Sequence, residues 1–418
     1  MGERRKALVI GGSFGGLFAA TLLARAGWEV EIFERVGEAL ADRGAGIVTH
    51  EELFEAIRRA GAVVDETIGC ETVSRATYDV QGRCVAELPL RQMLTAWGRL
   101  YRLLKDVFPA TRYHYNRAFE RVEQAAHSVT AFFADGSSAR GDFLIGADGI
   151  RSTVRACVAP QTKPVYVGYV AWRGLVDEAA LSNEARAALA DRMAFGLPAG
   201  EMLLTYLVAG RDYTTQPGQR RYNFVWYRPV EGTRALPALF TDADGRRYEN
   251  NIPPDRIRSD VIAAMRADAE RLLAPAFVEV LRKSPEPFFQ PIYDLESTQL
   301  AFGRVAILGD AAFVARPHVG LGVTKAAGDA VALTDALIAH DGDVETALRD
   351  YETARLAFGS AIVAHARMLG LGIGPAETAP GPRRLVDYLR RPEVVMREIA
   401  VPDWAERTAV IKAATRDH

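Results

Sequence analysis

The sequence predicts an α/β fold: a Rossmann-like dinucleotide-binding domain, a mostly-β domain inserted into it, and helices towards the C-terminal end. Three observations carry this reading. A strand–turn–helix–strand pattern with clustered glycines opens the chain. Two later apolar runs stop abruptly, one near Asp148-Gly149 and one at Gly309-Asp310. The stretches between them are rich in aromatic and β-branched residues, as strands are.

The first element is "KALVIGGSFGGLFAATLLARAGWEVEIFER". Ala7–Ile10 is a continuous apolar run, as expected of a strand buried on both faces. Gly11, Gly12, Gly15 and Gly16 make the turn, with Ser13 among them. Leu17, Ala20 and Ala24 recur at helical spacing, and Gly27 follows as a C-cap. Val30–Phe33 reads as the second strand and ends at Glu34. Such a turn sets the unpaired N–H groups and positive dipole end of a helix against a pyrophosphate. An acid after the second strand accepts hydrogen bonds from ribose hydroxyls. Gly11, Ser13, Gly15, Gly16 and Glu34 are therefore candidate dinucleotide contacts.

The second element is "DFLIGADGIRSTVR", an apolar strand broken by Gly146 and by Asp148-Gly149, a turn that opens a short helix. The third is "AILGDAAFVARPHVGLG". Its strand, Val305–Leu308, ends at Gly309-Asp310. Gly320 and Gly322 precede a long helix with Val323, Ala327, Ala330, Thr334 and Leu337 on one side. The bare N–H donors at that helix start suit an electron-rich heterocycle, and would stabilise negative charge on it. Asp310 is placed to accept hydrogen bonds from a sugar-alcohol chain.

This pattern divides the chain. Residues 1–70, 95–160 and 290–370 are expected to form a discontinuous nucleotide-binding domain. Residues 71–94 and 161–289 are expected to form the inserted sheet domain, with strand-like runs "YVGYVAWRGL", "EMLLTYLVAG" and "YNFVWYRPV". Residues 371–418 read as a helical C-terminal tail.

Composition limits the function. The 418 residues are 49% hydrophobic and 25% charged, as in an ordinary soluble enzyme, and the net charge of −2 provides no basic footprint for nucleic acid. No apolar run approaches the ~18 residues of a membrane span, and the start, "MGERRKALVI", has no secretory pattern. Cys70, Cys84 and Cys157 lack metal or disulfide spacing, so reduced thiols and a cytoplasmic location are expected. No metal site is expected.

The three motifs, in this order, resemble those of the single-component FAD-dependent aromatic hydroxylases, whose type member is p-hydroxybenzoate hydroxylase. The stretches "GGSFGGL", "GAGIVTH", "GYVAWRG", "YNFVWYR" and "LGDAAFVARPH" are similar to the 2,6-dihydroxypyridine 3-monooxygenases within that group. The resemblance implies non-covalent FAD, NADH or NADPH as co-substrate, and O2. It implies hydroxylation of a small hydroxylated aromatic, a hydroxypyridine first, through a flavin hydroperoxide. A phenol or salicylate-like acid is the alternative substrate, and a non-hydroxylating FAD dehydrogenase or redox sensor the alternative role. Gly11, Gly16 and Glu34 would hold the ADP half of FAD, and Arg43 would approach the ribose–pyrophosphate region. Asp148 and Gly149 would serve FAD and the nicotinamide nucleotide. Asp310 would bind the ribityl chain, and Gly320, Leu321 and Gly322 the flavin ring. Only one nucleotide cradle is evident, which suits enzymes whose nicotinamide nucleotide binds a surface groove. A homodimer is left open.

The chemistry also needs a dry pocket that positions the ring and helps its hydroxyl lose a proton. His318, between Pro317 and the flavin-facing glycines, is the first candidate proton acceptor; the alternative is a loop residue bonding a nearby carbonyl. His50 and Tyr206 are the next catalytic candidates. Phe224 and Trp226, two apart on one strand, share a sheet face that is either pocket roof or core. Arg173 would pair with an anionic substrate or form a structural salt bridge. Pro317 completes the substrate set.

Overall fold

The computed structural model describes residues 5–38, 46–249, 251–374 and 383–402. The strand Lys6–Ile10 is the axis of a six-stranded sheet. Its order is Ala301–Phe302, Val305–Ile307, Phe143–Gly146, Lys6–Ile10, Glu29–Phe33 and Tyr113–His114. All neighbours pair in parallel except the antiparallel edge Ala301–Phe302. The central strands are apolar throughout because helices cover them, and Ala7, Leu8, Val9, Leu144, Ile145 and Ala306 are fully buried. Helices Phe14–Arg25 and Gly322–Ala339 pack side by side, with Val344–Leu369 against the latter. Their N-terminal ends follow two of the three predicted strand-to-loop breaks. Residues 119–141 add a three-stranded meander of Phe119–Ala125, Ser128–Phe133 and Ser138–Gly141.

The second layer is a nine-stranded sheet. Its order is Phe313–Val314, Phe288–Glu296, Val165–Asp177, Arg221–Pro229, Met202–Val208, Arg192–Gly196, Cys70–Tyr78, Cys84–Ala96 and Gly46–Val48. Both edge strands come from segments assigned by sequence to the nucleotide-binding domain. The strands Cys84–Ala96 and Phe288–Glu296 run through the expected boundaries at 95 and 290. The expected boundaries therefore fall inside strands of the nine-stranded sheet rather than in linkers. One face of the sheet packs on helices Asn183–Leu189, Ser259–Leu272 and Pro275–Lys283. The other faces Val319, Leu321 and Ile362.

The tail continues the second face. Helices Arg383–Leu389 and Pro392–Glu398 lead to Ile399 and Ala400, which pack into the same apolar cluster. Arg75, fully buried, clamps this end: its guanidinium donates to the carbonyls of Met396 (2.9 Å), Ile399 (2.5 Å) and Ala400 (2.7 Å). Carbonyls at a helix C-terminus carry partial negative charge, so a buried cation is compensated there. Among the described residues no helix is long and apolar enough to cross a membrane, and no cluster of His, Cys, Asp and Glu could hold a metal ion.

Candidate active site

The glycine turn is tight because the chain crosses itself there. Gly11 has φ of +102°, and a Cβ on it would lie 2.5 Å from the Ala147 carbonyl oxygen, so no other residue fits. This contact ties the first loop to the second. Ser13 stands at the N-cap of Phe14–Arg25 with no capping bond from its hydroxyl. Glu34 is buried, and its carboxylate accepts the Gly12 N–H (2.8 Å) and the Val36 N–H (3.0 Å). It braces the turn from within, a duty the sequence reading did not foresee.

The second loop is held by its own acid. Asp148 accepts from the Ser152 hydroxyl (2.5 Å), the Thr153 N–H (2.7 Å) and the Val154 N–H (3.1 Å), capping helix Thr153–Val158. Burial raises its carboxyl above the ordinary range against the pull of these bonds. Gly149 (φ +81°) is different: a Cβ there would project into open space. Arg155, missed by sequence reasoning, donates to the Ile150 (2.6 Å) and Ala311 (2.9 Å) carbonyls and so links the second loop to the third.

In the third loop, Gly309 is anchored from behind. Its N–H donates to Asp329 (3.0 Å), which also accepts from Arg355 (2.7 Å). Asp310 is left pointing outward, half-exposed and without a hydrogen bond among the described residues; its nearest cation is Lys325 at 3.6 Å. Gly322 opens the long helix, and a Cβ on it would also meet open space. Two helix starts, the uncapping Ser13 hydroxyl, the half-exposed Asp310 carboxylate and bare glycine backbone at 149 and 322 make a donor and acceptor set that suits FAD. Arg43 lies outside the described residues.

On the substrate side several expectations need correction. His318 is fully buried, with Nε2 2.8 Å from the Tyr169 hydroxyl and its ring 4.3 Å from Tyr227. Its carbonyl accepts the Ala400 N–H (2.7 Å), so the tail seals it. Burial, with Arg316 nearby, lowers its pKa to about 3. A neutral imidazole this weakly basic does not accept a substrate proton near neutral pH. His50 is also buried, with Nδ1 2.8 Å from Thr324 Oγ1 and Nε2 3.0 Å from the Val401 carbonyl. Both ring nitrogens are spent on structure. Phe224 and Trp226 belong to the core against the helices, with no exposure, and are not a pocket roof. The register instead turns Asn223, Val225 and Tyr227 to the opposite face.

That opposite face is where the polar groups meet. Tyr206 is buried there, and a Cβ on Gly46 would meet its ring at 2.5 Å. Asn223 accepts the Gly46 N–H (3.0 Å), fixing the strand Gly46–Val48 over the sheet. Arg173 stands on the same face as Tyr169 and Ala171, opposite Val225 on the next strand. It is half-buried, forms no salt bridge among the described residues, and its Nε is enclosed without a hydrogen-bond partner. Its positive charge acts on both Tyr206 and Tyr227, whose hydroxyls burial nevertheless raises, Tyr227 to about 12. Pro317 opens the short turn Pro317–Val319 beside this face. Tyr227 and Tyr169 were not singled out by sequence. Tyr169 shares parity with Arg173 along one strand, a signal the sequence does contain.

Comparisons with known proteins agree with this architecture. A protein-family model described as FAD binding domain-like matches residues 166–294. The chain is 30% identical over 354 residues to a 2,6-dihydroxypyridine 3-monooxygenase of Paenarthrobacter nicotinovorans, covering 84% of this chain and 87% of that protein. The solved 2,6-dihydroxypyridine-3-hydroxylase from Arthrobacter nicotinovorans superposes with a TM-score of 0.82 at 29% identity, over 87% of this chain and 91% of that one. Klebsiella pneumoniae HpxO, solved with FAD and uric acid, superposes with a TM-score of 0.75 at 26% identity, over 94% and 93% of the two chains.

Proposed function

Because the chain belongs to the FAD-dependent aromatic hydroxylases, we propose that it hydroxylates a small hydroxylated nitrogen heterocycle, a hydroxypyridine first among them. The reductant is NADH or NADPH and the oxidant O2. Ring C–H, O2, NAD(P)H and a proton give ring C–OH, water and NAD(P)+. Bound FAD supplies the electron transfer from nicotinamide to O2 and the delivery of one oxygen atom. Gly11, Ser13, Gly15 and Gly16 hold its diphosphate, Glu34 its adenosine ribose, Asp310 its ribityl chain, and Gly320, Leu321 and Gly322 its ring. No covalent bond is formed, so acid precipitation releases all of the yellow colour.

The observation that carries the substrate class is Arg173, a cation without an acid partner on an aromatic sheet face. A hydroxypyridine is most reactive towards electrophilic oxygen as its anion. A guanidinium in low dielectric favours that anion and lowers the pKa of the ring hydroxyl. Tyr206 and Tyr227, raised by burial, stay protonated and donate hydrogen bonds to the oxyanion. Val48, Val319 and Leu321 exclude water from the ring. The likeness to proteins named for dihydroxypyridine and solved with uric acid supports a nitrogen heterocycle over a phenol.

A screen of hydroxypyridines beside phenols and salicylates tests this. The expected result is NAD(P)H oxidation coupled to product with hydroxypyridines and slow, uncoupled oxidation with the others. Coupled turnover of phenols or salicylates alone overturns the substrate assignment.

A further inference from the structure

The helix Gly322–Ala339 carries Lys325 in its first turn. The Lys325 side chain is 1% exposed, and its ammonium has no hydrogen-bond partner among the described residues. The Asp310 carboxylate lies 3.6 Å away, beyond hydrogen-bond reach, and is itself 53% exposed. A buried ammonium is normally hydrogen-bonded as well as paired, and here Asp310 supplies an ion pair without a hydrogen bond. The place is also wrong for a cation, because a helix N-terminus is its positive end. Burial, missing bonds and helix polarity all disfavour this lysine in the protein alone. Each of the three is relieved by an anion at the helix start.

We propose that Lys325 is the charge partner of the reduced flavin, stabilising the anionic two-electron-reduced ring and raising the cofactor's reduction potential. This rests on the FAD reading above. Reduction transfers a hydride, two electrons and one proton, from the reduced nicotinamide to the oxidised ring. The nicotinamide becomes cationic and the flavin ring gains one negative charge. That charge exists only after reduction, so a fixed cation nearby discriminates between the two redox states. The diphosphate is charged in both states and belongs to the separate turn at Gly11–Gly16. The backbone N–H of Lys325 donates to the Leu321 carbonyl (2.7 Å), so lysine and flavin-facing loop move as one piece. Lys325 acts through its field and through Asp310, as a positioning residue.

The test measures the midpoint potential of FAD bound to the holoenzyme, by equilibration with a redox dye, for the parent and for Lys325→Met, Lys325→Gln and Lys325→Arg. Loss of the charge should disfavour reduced over oxidised flavin roughly tenfold or more, a shift of about 30 mV to more negative potential. Lys325→Arg should return the parent's value. Affinity for oxidised FAD should change much less. Unchanged potentials in the uncharged variants overturn the proposal, as does a loss of oxidised-FAD affinity with no shift in potential. If the variants do not hold FAD, the parent's own reduced spectrum decides. An anionic reduced spectrum that persists below the pH at which free reduced flavin protonates supports the proposal; titration like free flavin overturns it. A parent protein that binds no FAD refutes the cofactor reading itself, a failure distinct from an unshifted potential.

Discussion

Replacing His318 with Gln should remove a steep acid sensitivity from the fold. The folded chain holds His318 neutral, with its pKa lowered from 6.5 to about 3 by burial first and Arg316 second. Between those values the unfolded chain binds a proton that the folded chain does not. Stability therefore rises with pH through that window and is lost on acidification. Each pH unit well inside the window is worth about 1.4 kcal/mol, so going from pH 7 to pH 5 costs about 2 kcal/mol at this site alone. The figure applies because the ring is fully buried. Gln fills a similar volume, keeps a group able to bond the Tyr169 hydroxyl, and does not titrate. The assay is thermal unfolding of parent and His318→Gln at both pH values. A chain of this size shifts by roughly 1–2 °C per kcal/mol, so the parent should lose about 2–4 °C more than the variant. Parallel pH dependences, or a ring that titrates near pH 6.5 by NMR, would show that His318 is not held neutral by the fold.

Three other outcomes are expected. Asp310→Ala should weaken FAD binding by roughly 10- to 150-fold, the worth of a charge-assisted bond of about 1.5–3 kcal/mol, read by titrating apoprotein with FAD; unchanged affinity removes Asp310 from the cofactor site. Arg173→Gln should weaken anionic ring ligands about tenfold or more while leaving neutral analogues nearly unaffected, seen as perturbation of the bound flavin spectrum; equal loss for both would make Arg173 a packing residue. Phe224→Ala should destabilise the fold by about 3–5 kcal/mol with ligand affinity retained, since its side chain lies in the core against the helices; a changed ligand affinity with intact stability would put it on the pocket face.

The nucleotide-binding half was legible because its physics is local. A parallel strand buried on both faces shows as an unbroken apolar run, and the turn needs glycine where Gly11 crosses Ala147. The strand Arg221–Pro229 was legible as a strand but its faces were not. Tyr222 to Tyr227 are all buried, so no polar alternation marks which side meets the helices. The burial of His318 and His50 is invisible in the sequence for a different reason. Both are sealed by Ala400 and Val401, contacts that span the chain and leave no local trace. Asp148 has a further duty that the sequence does not show, because its carboxylate accepts the first N–H groups of helix Thr153–Val158. Lys325 carries no mark in the sequence, because a lysine in the first turn of a helix ordinarily reads as solvent-facing.

The proposed reaction inserts one atom of O2 into a hydroxylated nitrogen heterocycle. The most direct test supplies heavy-isotope-labelled dioxygen to the FAD-loaded protein with NADH or NADPH and a hydroxypyridine, and weighs the product. The expected product is heavier by one labelled oxygen and forms in proportion to the nicotinamide oxidised. Nicotinamide consumed with only hydrogen peroxide formed from every ring tested, or product oxygen drawn from water, would contradict it.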